Sequence, residues 1–347
     1  MLQFLKEENY PDLEVIICAD EPTDECKALE KEYSWTNWQF SEDRMGKIWA
    51  LNAVAEKSKG DFLIFLDSDL ELREHGFLQE IVKDLSLHEL VEIKKKIIRD
   101  SFVARIVNYD YLSENFTNYL FAKYLHRCIG INGAAFAIRR ETWIKLGGFK
   151  KAISEDLDLA LRAFIINVDF GYPDKAEVWN GVDPSWGVWL RQRRRWGLGL
   201  GIWLRDYWRQ LFSTTLRNLK IVIPALLILF PSIPIILQFI AISNLQVPRF
   251  ATVVLLLLSS WQILFAPSAL ALEIAVVLTE ALFFIVIQFI TYAFIFYFFS
   301  RRLGYAFNIV EFVFFFFVYN PLWLLISLAS LFRVIIWREN FKIDWKI

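Results

Sequence analysis

The sequence predicts an α/β domain built on a mostly parallel sheet, followed by an α-helical transmembrane domain. Three observations carry this. Phe62–Asp69 reads FLIFLDSD, and its five leading apolar residues fit a strand buried on both faces, as in a parallel sheet covered by helices. Such a strand is expected at the centre of its sheet. The chain of 347 residues is 56% hydrophobic and 17% aromatic, too apolar for a soluble protein of that length. The excess is also unevenly placed: the chain is mixed and charged up to about Arg217, and long apolar stretches dominate beyond it.

The remaining composition narrows the classes. Net charge is −1, so the total points to neither nucleic acid nor acidic partners, and no nucleic-acid partner is expected. Cys18, Cys26 and Cys128 lack metal-ligand spacing and cannot all pair; Cys18, in a predicted strand, reads as a small core residue in a reducing compartment. Met1–Asp12 has no apolar core segment of the kind a signal peptide needs.

Taken in order, Glu14–Cys18 (EVIIC) follows a Tyr10-Pro11-Asp12 turn and reads as a strand whose C-terminal end carries Asp20. Thr23 and Asp24 are suited to cap the next helix. Gly46-Lys47 opens a helix with Leu51, Val54 and Ala55 on one face. A lysine at a helix start works against the dipole, so a nearby anion explains it better than helix stability does. Phe62–Leu66 then delivers Asp67 and Asp69 to the sheet's C-terminal edge, where open α/β sheets bind ligands. The pair suits a hard divalent cation completed by diphosphate oxygens and water; capping of the following helix, or plain solvation, is the rival reading.

The charge run Lys94–Lys96 reads as a solvated face or a contact with anionic lipid headgroups. Tyr109–Arg127 is helical and aromatic, with no chemistry visible in its spacing. Asn132–Phe136 (NGAAF) is small and apolar, and Glu141–Leu146 forms a short helix ended by Gly147-Gly148-Phe149. Ser154-Glu155-Asp156 stands at the start of another helix, where capping explains all three and a general base is the alternative. Arg191–Trp196 (RQRRRW) suits a headgroup-facing surface, or neutralisation of a leaving diphosphate with an indole stacked on a sugar. Gly197, Gly199 and Gly201 are expected to loosen the chain before an amphipathic, interfacial Trp203–Leu211.

Four membrane candidates follow, Ile221–Ser243, Phe250–Leu272, Ile274–Phe299 and Tyr305 to about Leu325, each near or above the roughly 20 residues needed to span. Pro224, Pro231 and Pro234 should kink the first. Pro267 and the weak polar break near Glu273 leave the second open to a re-entrant or merged form. Arg205, Arg209, Arg217 and Lys220 before the first span, and Arg333, Arg338, Lys342 and Lys346 after the last, put both ends in the cytoplasm; Arg301 and Arg302 count against four spans. Glu280, Gln288 and Glu311 are expected to face neighbouring helices or a channel. The expected division is a catalytic domain over 1–200, an interfacial helix over 201–217, membrane helices over 218–337 and a cytosolic tail over 338–347.

In order and spacing, YPDLEVIICADEPTD, GKIWALN, FLIFLDSD, NGAAFAIRR with GGF, SEDLDLALR and QRRRW resemble the membrane-bound family 2 glycosyltransferases, the group of cellulose, chitin and hyaluronan synthases. Trp345 resembles a C-terminal tail common in that group. The resemblance implies a GT-A-like fold and inverting transfer of a sugar from a nucleotide-sugar, UDP-linked, to a growing polysaccharide or lipid-linked glycan. Product length separates the two acceptors. The resemblance also implies Mg2+ or Mn2+ as cofactor, membrane lipids and synthase-complex subunits as partners, and a plasma-membrane location with the catalytic domain cytoplasmic. Residue by residue, it implies Asp156 as catalytic base, with Ser154 replacing the family's threonine. Asp20, Lys47, Asp67 and Arg195 bind the nucleotide-sugar, Asp69 with Asp67 holds the metal, and Glu155, Gln192 and Trp196 bind the acceptor. The family's first strand and helix are missing from the pattern, which leaves a truncated chain or a non-catalytic subunit of a synthase complex as the alternative.

Overall fold

The computed structural model describes residues 1–173, 175–238, 240–241 and 266–336, with the backbone alone at 266–278. It divides into two units, Met1–Ala225 with Leu325–Ile347, and Leu226–Leu324. In the first unit, α1 (Leu2–Glu7) leads to β1 (Ile16–Asp20), α2 (Asp24–Glu32), β2 (Asn37–Ser41), α3 (Lys47–Lys57), β3 (Phe62–Leu66), β4 (Leu70–Glu71) and α4 (Phe77–Leu87). Next come β5 (Leu90–Glu92), β6 (Lys94–Ile97), the long α5 (Phe102–Leu125), β7 (Ala135–Arg139), α6 (Arg140–Leu146) and α7 (Glu155–Ile165). The unit then runs through β8 (Phe170–Gly171), β9 (Glu177–Asn180) and α8 (Trp186–Arg217). Thr23 caps α2 by accepting from Cys26 N at 3.2 Å, and Gly147, left-handed at φ 70°, closes α6.

β1 and β2 pair in parallel. A second sheet runs β3-β7-β5-β8, with β7 antiparallel to β3 and β5 and with β8 parallel to β5. In the third, β4-β9-β6, β9 is antiparallel to β4 and parallel to β6. The FLIFL strand is therefore not central: among the described residues β3 pairs with β7 alone and ends its sheet. Its unbroken apolarity has another cause, because both its faces are covered. Leu63 and Phe65 enter one core with Phe136, Trp143, Phe149 and Leu159, while Phe62, Ile64 and Leu66 pack on the other with Leu78, Ile81 and Leu85.

Lys94–Lys96 also departs from expectation. The run is β6, and its lysines are inside: Lys94 and Lys95 are each 6% exposed. Alternation along the strand sends Lys94 and Lys96 to one face, where both pair with Glu177 Oε2, at 3.0 and 2.7 Å. Lys95 goes to the other face, with Nζ 3.3 Å from the Tyr111 hydroxyl. Their aliphatic stems lie in the core and the ammonium groups find partners there, so neither water nor headgroups are needed. Burial alone would raise the Glu177 pKa, but bonds from Lys96 and Lys94 outweigh it and hold the carboxylate below its usual value. Its stabilisation is therefore present above the ordinary glutamate pKa and is lost as pH falls through the lowered one. Glu177→Gln, which removes the charge that Lys94 and Lys96 share, should cost about 3 kcal/mol in denaturant titration at pH 7.

Among the described residues two helices are long and apolar enough to cross a membrane, Thr279–Leu303 at mean hydropathy 2.3 and Ile309–Ile336 at 2.0. The first belongs to a continuous helix, Ala266–Leu303, which joins the last residues of the second candidate to the third. Residues 242–265 and 337–347, with much of the second candidate and the tail carrying Arg338, Lys342, Trp345 and Lys346, lie outside the described residues. α9 (Leu219–Leu229) passes through Pro224 and stops before Pro231, and helix resumes at 232–238. The break is repaired by a buried side chain: Asn320 Nδ2 donates to Leu229 O at 3.1 Å, and its Oδ1 accepts from Ser232 N at 3.2 Å and from the Ser232 hydroxyl. Gln288 faces Gln238, to which it donates at 2.9 Å.

Candidate active site

The β1–α3 turn begins the site. Asp20 ends β1, and its Oδ1 and Oδ2 accept from the backbone of Met45 and Gly46 at 2.8 and 2.6 Å. Both oxygens thus fix the residues that precede α3, and Lys47 follows as its first residue. The anion demanded by that lysine is present. Lys47 Nζ lies 2.9 Å from Asp67 Oδ1 and 3.7 Å from Glu155 Oε1. Burial acts to lower the Lys47 pKa, but Asp67, Glu155 and Asp156 together overcome it and raise it above the ordinary lysine value. One cation thereby joins the end of β3 to the start of α7.

Asp156 sits in the first turn of α7, and its carboxylate is held by backbone: Oδ1 accepts from Leu157 N at 2.8 Å and Oδ2 from Gly133 N at 3.1 Å. Gly133 is required by packing, since a Cβ there would lie 2.9 Å from Asp156 Oδ2. Burial raises the pKa of Asp156, opposed by the Leu157 and Gly133 bonds and by Lys47. Glu155 is raised by burial and then by the charge of Asp156, with Lys47 opposing. A carboxylate fixed by two amides, beside a lysine and poised above its ordinary pKa, is equipped to accept a proton. Ser154 holds the N-cap position of α7, but its side chain makes no capping bond.

Asp69 is exposed, and Asn180 Nδ2 of β9 donates to its Oδ2 at 3.1 Å. Among the described residues no group of three or more His, Cys, Asp or Glu side chains is arranged to hold a metal ion by itself. The Asp67–Asp69 pair fits the kind of hard-cation site that takes one or two protein carboxylates and fills its remaining positions with phosphate oxygens and water.

The arginine cluster is split by its helix. Arg193 is 2% exposed, with Nη2 2.6 Å from Asp110 Oδ2 and its guanidinium 4.4 Å over the Trp196 ring. Gln192 and Arg195 are exposed, and among the described residues neither bonds to the Asp67–Lys47–Glu155 group. By helical spacing Gln192, Arg195 and Trp196 share a stripe with Gly199 and Trp203. Those two residues meet α7: a Cβ on Gly199 would collide with Ser154 Oγ, and Trp203 Nε1 donates to Leu157 O at 3.1 Å. The three glycines do not loosen α8, which runs unbroken for 32 residues. They admit close neighbours instead. A Cβ on Gly197 would lie 2.7 Å from Ser330 Oγ, and one on Gly201 3.3 Å from Leu331 Cα, both on the C-terminal helix.

α5 carries polar groups that its aromatic sequence concealed. Asp110 pairs with Arg193, Tyr111 receives Lys95, Glu114 accepts from Asn132 Nδ2 at 3.2 Å, and Asn118 donates to Glu92 at 2.8 Å. Spacing of three and four residues among Asp110, Tyr111, Glu114 and Asn118 is the signal that would have marked this face.

A family model described as glycosyl transferase family group 2 matches residues 65–338. The chain is 26% identical over 201 residues to the probable glycosyltransferase YdaM of Bacillus subtilis, covering 54% of this chain and 47% of that protein. It is 26% identical over 171 residues to the probable glucomannan 4-beta-mannosyltransferase 3 of Arabidopsis thaliana, covering 46% and 29%. The chain therefore spans about half or less of the length of these relatives. Among solved structures, the mannosyltransferase PcManGT of Pyrobaculum calidifontis, in complex with GDP-Man and Mn2+, shares the fold at TM-score 0.50 and 19% identity. That match covers 84% of this chain and 79% of PcManGT.

Proposed function

Because the chain belongs to glycosyl transferase family group 2, with residues 65–338 matched, we propose that it transfers a sugar from a nucleotide-diphosphate donor to a hydroxyl of a glycan or lipid-linked acceptor at the membrane. The observation that carries this reading is the Lys47 bridge from Asp67 to Glu155, beside Asp156, which gathers three sequence-distant motifs around one cation. In the reaction the acceptor oxygen bonds to the anomeric carbon as the bond to the diphosphate breaks, and the configuration inverts. Asp156 takes the acceptor proton. Lys47 and Arg195 offset charge on the leaving diphosphate, Asp20 contacts the base, and Glu155, Gln192 and Trp196 hold the acceptor. Asp69, with Asp67 beside it, would hold Mg2+ or Mn2+, which when bound neutralises phosphate charge. We assign the catalytic domain to the cytoplasmic face of the plasma membrane, because Arg205, Arg209, Arg217 and Lys220 precede the apolar region.

The test is transfer by detergent-purified protein from UDP-linked and GDP-linked sugars. Turnover is expected only with Mn2+ or Mg2+, fastest from the UDP-linked donor, and chelator-resistant turnover would sink the metal assignment. A second reading, a non-catalytic subunit of a synthase complex, is favoured by one observation. Among the described residues β1 and β3, which carry the Asp20 and Asp67 ends of the site, each pair along one edge only. It predicts no heat of nucleotide-sugar binding in calorimetry with Mn2+ present.

A further inference from the structure

We propose that Glu92, the last residue of β5, is a positioning residue that sets the carboxylate of Asp156 through the Asn132–Gly133 turn. The proposal rests on the reading of Asp156 as base. Glu92 is 1% exposed, and its Oε2 accepts two N–H groups, from Asn118 Nδ2 at 2.8 Å and from the Asn132 backbone at 3.0 Å. The side chain of Asn132 is held as well, donating to Glu114 Oε1 at 3.2 Å and accepting from Ala134 N at 3.1 Å. The next amide, Gly133 N–H, donates to Asp156 Oδ2 at 3.1 Å. Successive backbone amides thus tie Glu92 on one side to Asp156 on the other. The turn packs against that carboxylate without slack, since even a Cβ at Gly133 would come 2.9 Å from Oδ2. Loss of the Glu92 anchor frees the Asn132 amide, and the Gly133 amide and the Asp156 oxygen it holds are expected to shift with it.

The same surroundings set the form in which Glu92 acts. Its Oε1 is buried without a hydrogen-bond partner, and an ionised carboxylate there would keep one charged oxygen unsolvated. Burial, and then the charge of Glu114, push its pKa up to about 8. The titratable groups facing it are Glu114 on α5, Asp156 on α7 and Cys128 after α5, whose thiol is itself pushed up by burial and by Glu92. The raised pKa favours the protonated acid near neutral pH, and glutamine reproduces the shape and acceptor of that form.

The experiment compares full-length wild type, Glu92→Gln, Glu92→Leu and Asp156→Asn in two measurements. One is turnover of UDP-glucose or GDP-mannose with Mn2+, whichever wild type uses faster. The other, independent of activity, is hydrogen–deuterium exchange at the Asn132 and Gly133 amides. Glu92→Leu is expected to lower kcat by about 100-fold with donor KM within about threefold, and to speed exchange at the turn by about tenfold. Glu92→Gln should match wild type within about threefold in both. Wild-type kcat and exchange in Glu92→Leu would overturn the proposal, as would a Glu92→Gln that is as impaired as Glu92→Leu. A fully active Asp156→Asn would instead remove the base assignment, while exchange still decides whether Glu92 holds the turn. If Glu92→Leu does not fold, Glu92→Asp, one methylene too short to reach Asn132 N, should lose about tenfold in kcat, and an unimpaired Glu92→Asp overturns the proposal.

Discussion

Asp156→Asn should lower sugar transfer by about 10³-fold while donor binding changes by less than about threefold. The amide nearly preserves the shape of the carboxylate and can keep its oxygen toward Gly133 N–H at the loss of the Leu157 N–H bond, so the turn contact and the Lys47 bridge from Asp67 to Glu155 remain. What disappears is the lone pair that takes the acceptor proton. The pH dependence is fixed by the environment: burial raises the Asp156 pKa against the bonds from Leu157 and Gly133. Because the base works when deprotonated, wild-type kcat should fall with acid on a limb lying above the ordinary aspartate value. A variant that transfers sugar at wild-type rate would remove Asp156 from the chemistry.

Lys47→Met should produce the second large effect, a drop of about 100-fold in kcat/KM at pH 7 that is partly recovered at higher pH. The lysine is the cation shared by Asp67 and Glu155, and it lowers the pKa values of Glu155 and Asp156. Without it those pKa values rise further and a larger share of the base is protonated at neutral pH. The acid limb should therefore move to higher pH in the variant, with donor KM raised as well. An unshifted limb would mean that Lys47 acts on the donor alone.

Much of the site is legible in the sequence because its chemistry is local. Gly46-Lys47 announces a helix start in need of an anion, and the anion is Asp67. Gly147 ends α6 in the left-handed conformation that a helix C-cap requires. What was not legible depends on partners far along the chain. Lys96 looks solvated until Glu177, 81 residues away, is seen beside it. The α8 glycines look like a flexible joint until Ser154 and Ser330 are seen occupying the space that side chains would need. Asn320 carries no signal of its own in the sequence, and its role is visible only beside the backbone opened near Pro231.

The sequence by itself determined the α/β domain, the turn to an apolar C-terminal region and the order of the site motifs. Apolar runs, helix punctuation and strand-end carboxylates are properties of a few neighbouring residues, and they survive reading one residue at a time. Only the tertiary structure decided that FLIFL, among the described residues, lies at the edge of its sheet and is covered on both faces, that Lys94 and Lys95 are buried, and that Glu92 is tied to Asp156 through the Asn132–Gly133 turn. Each of these depends on which distant group removes a residue from water. Burial and pairing energies belong to the assembled contact rather than to either residue alone.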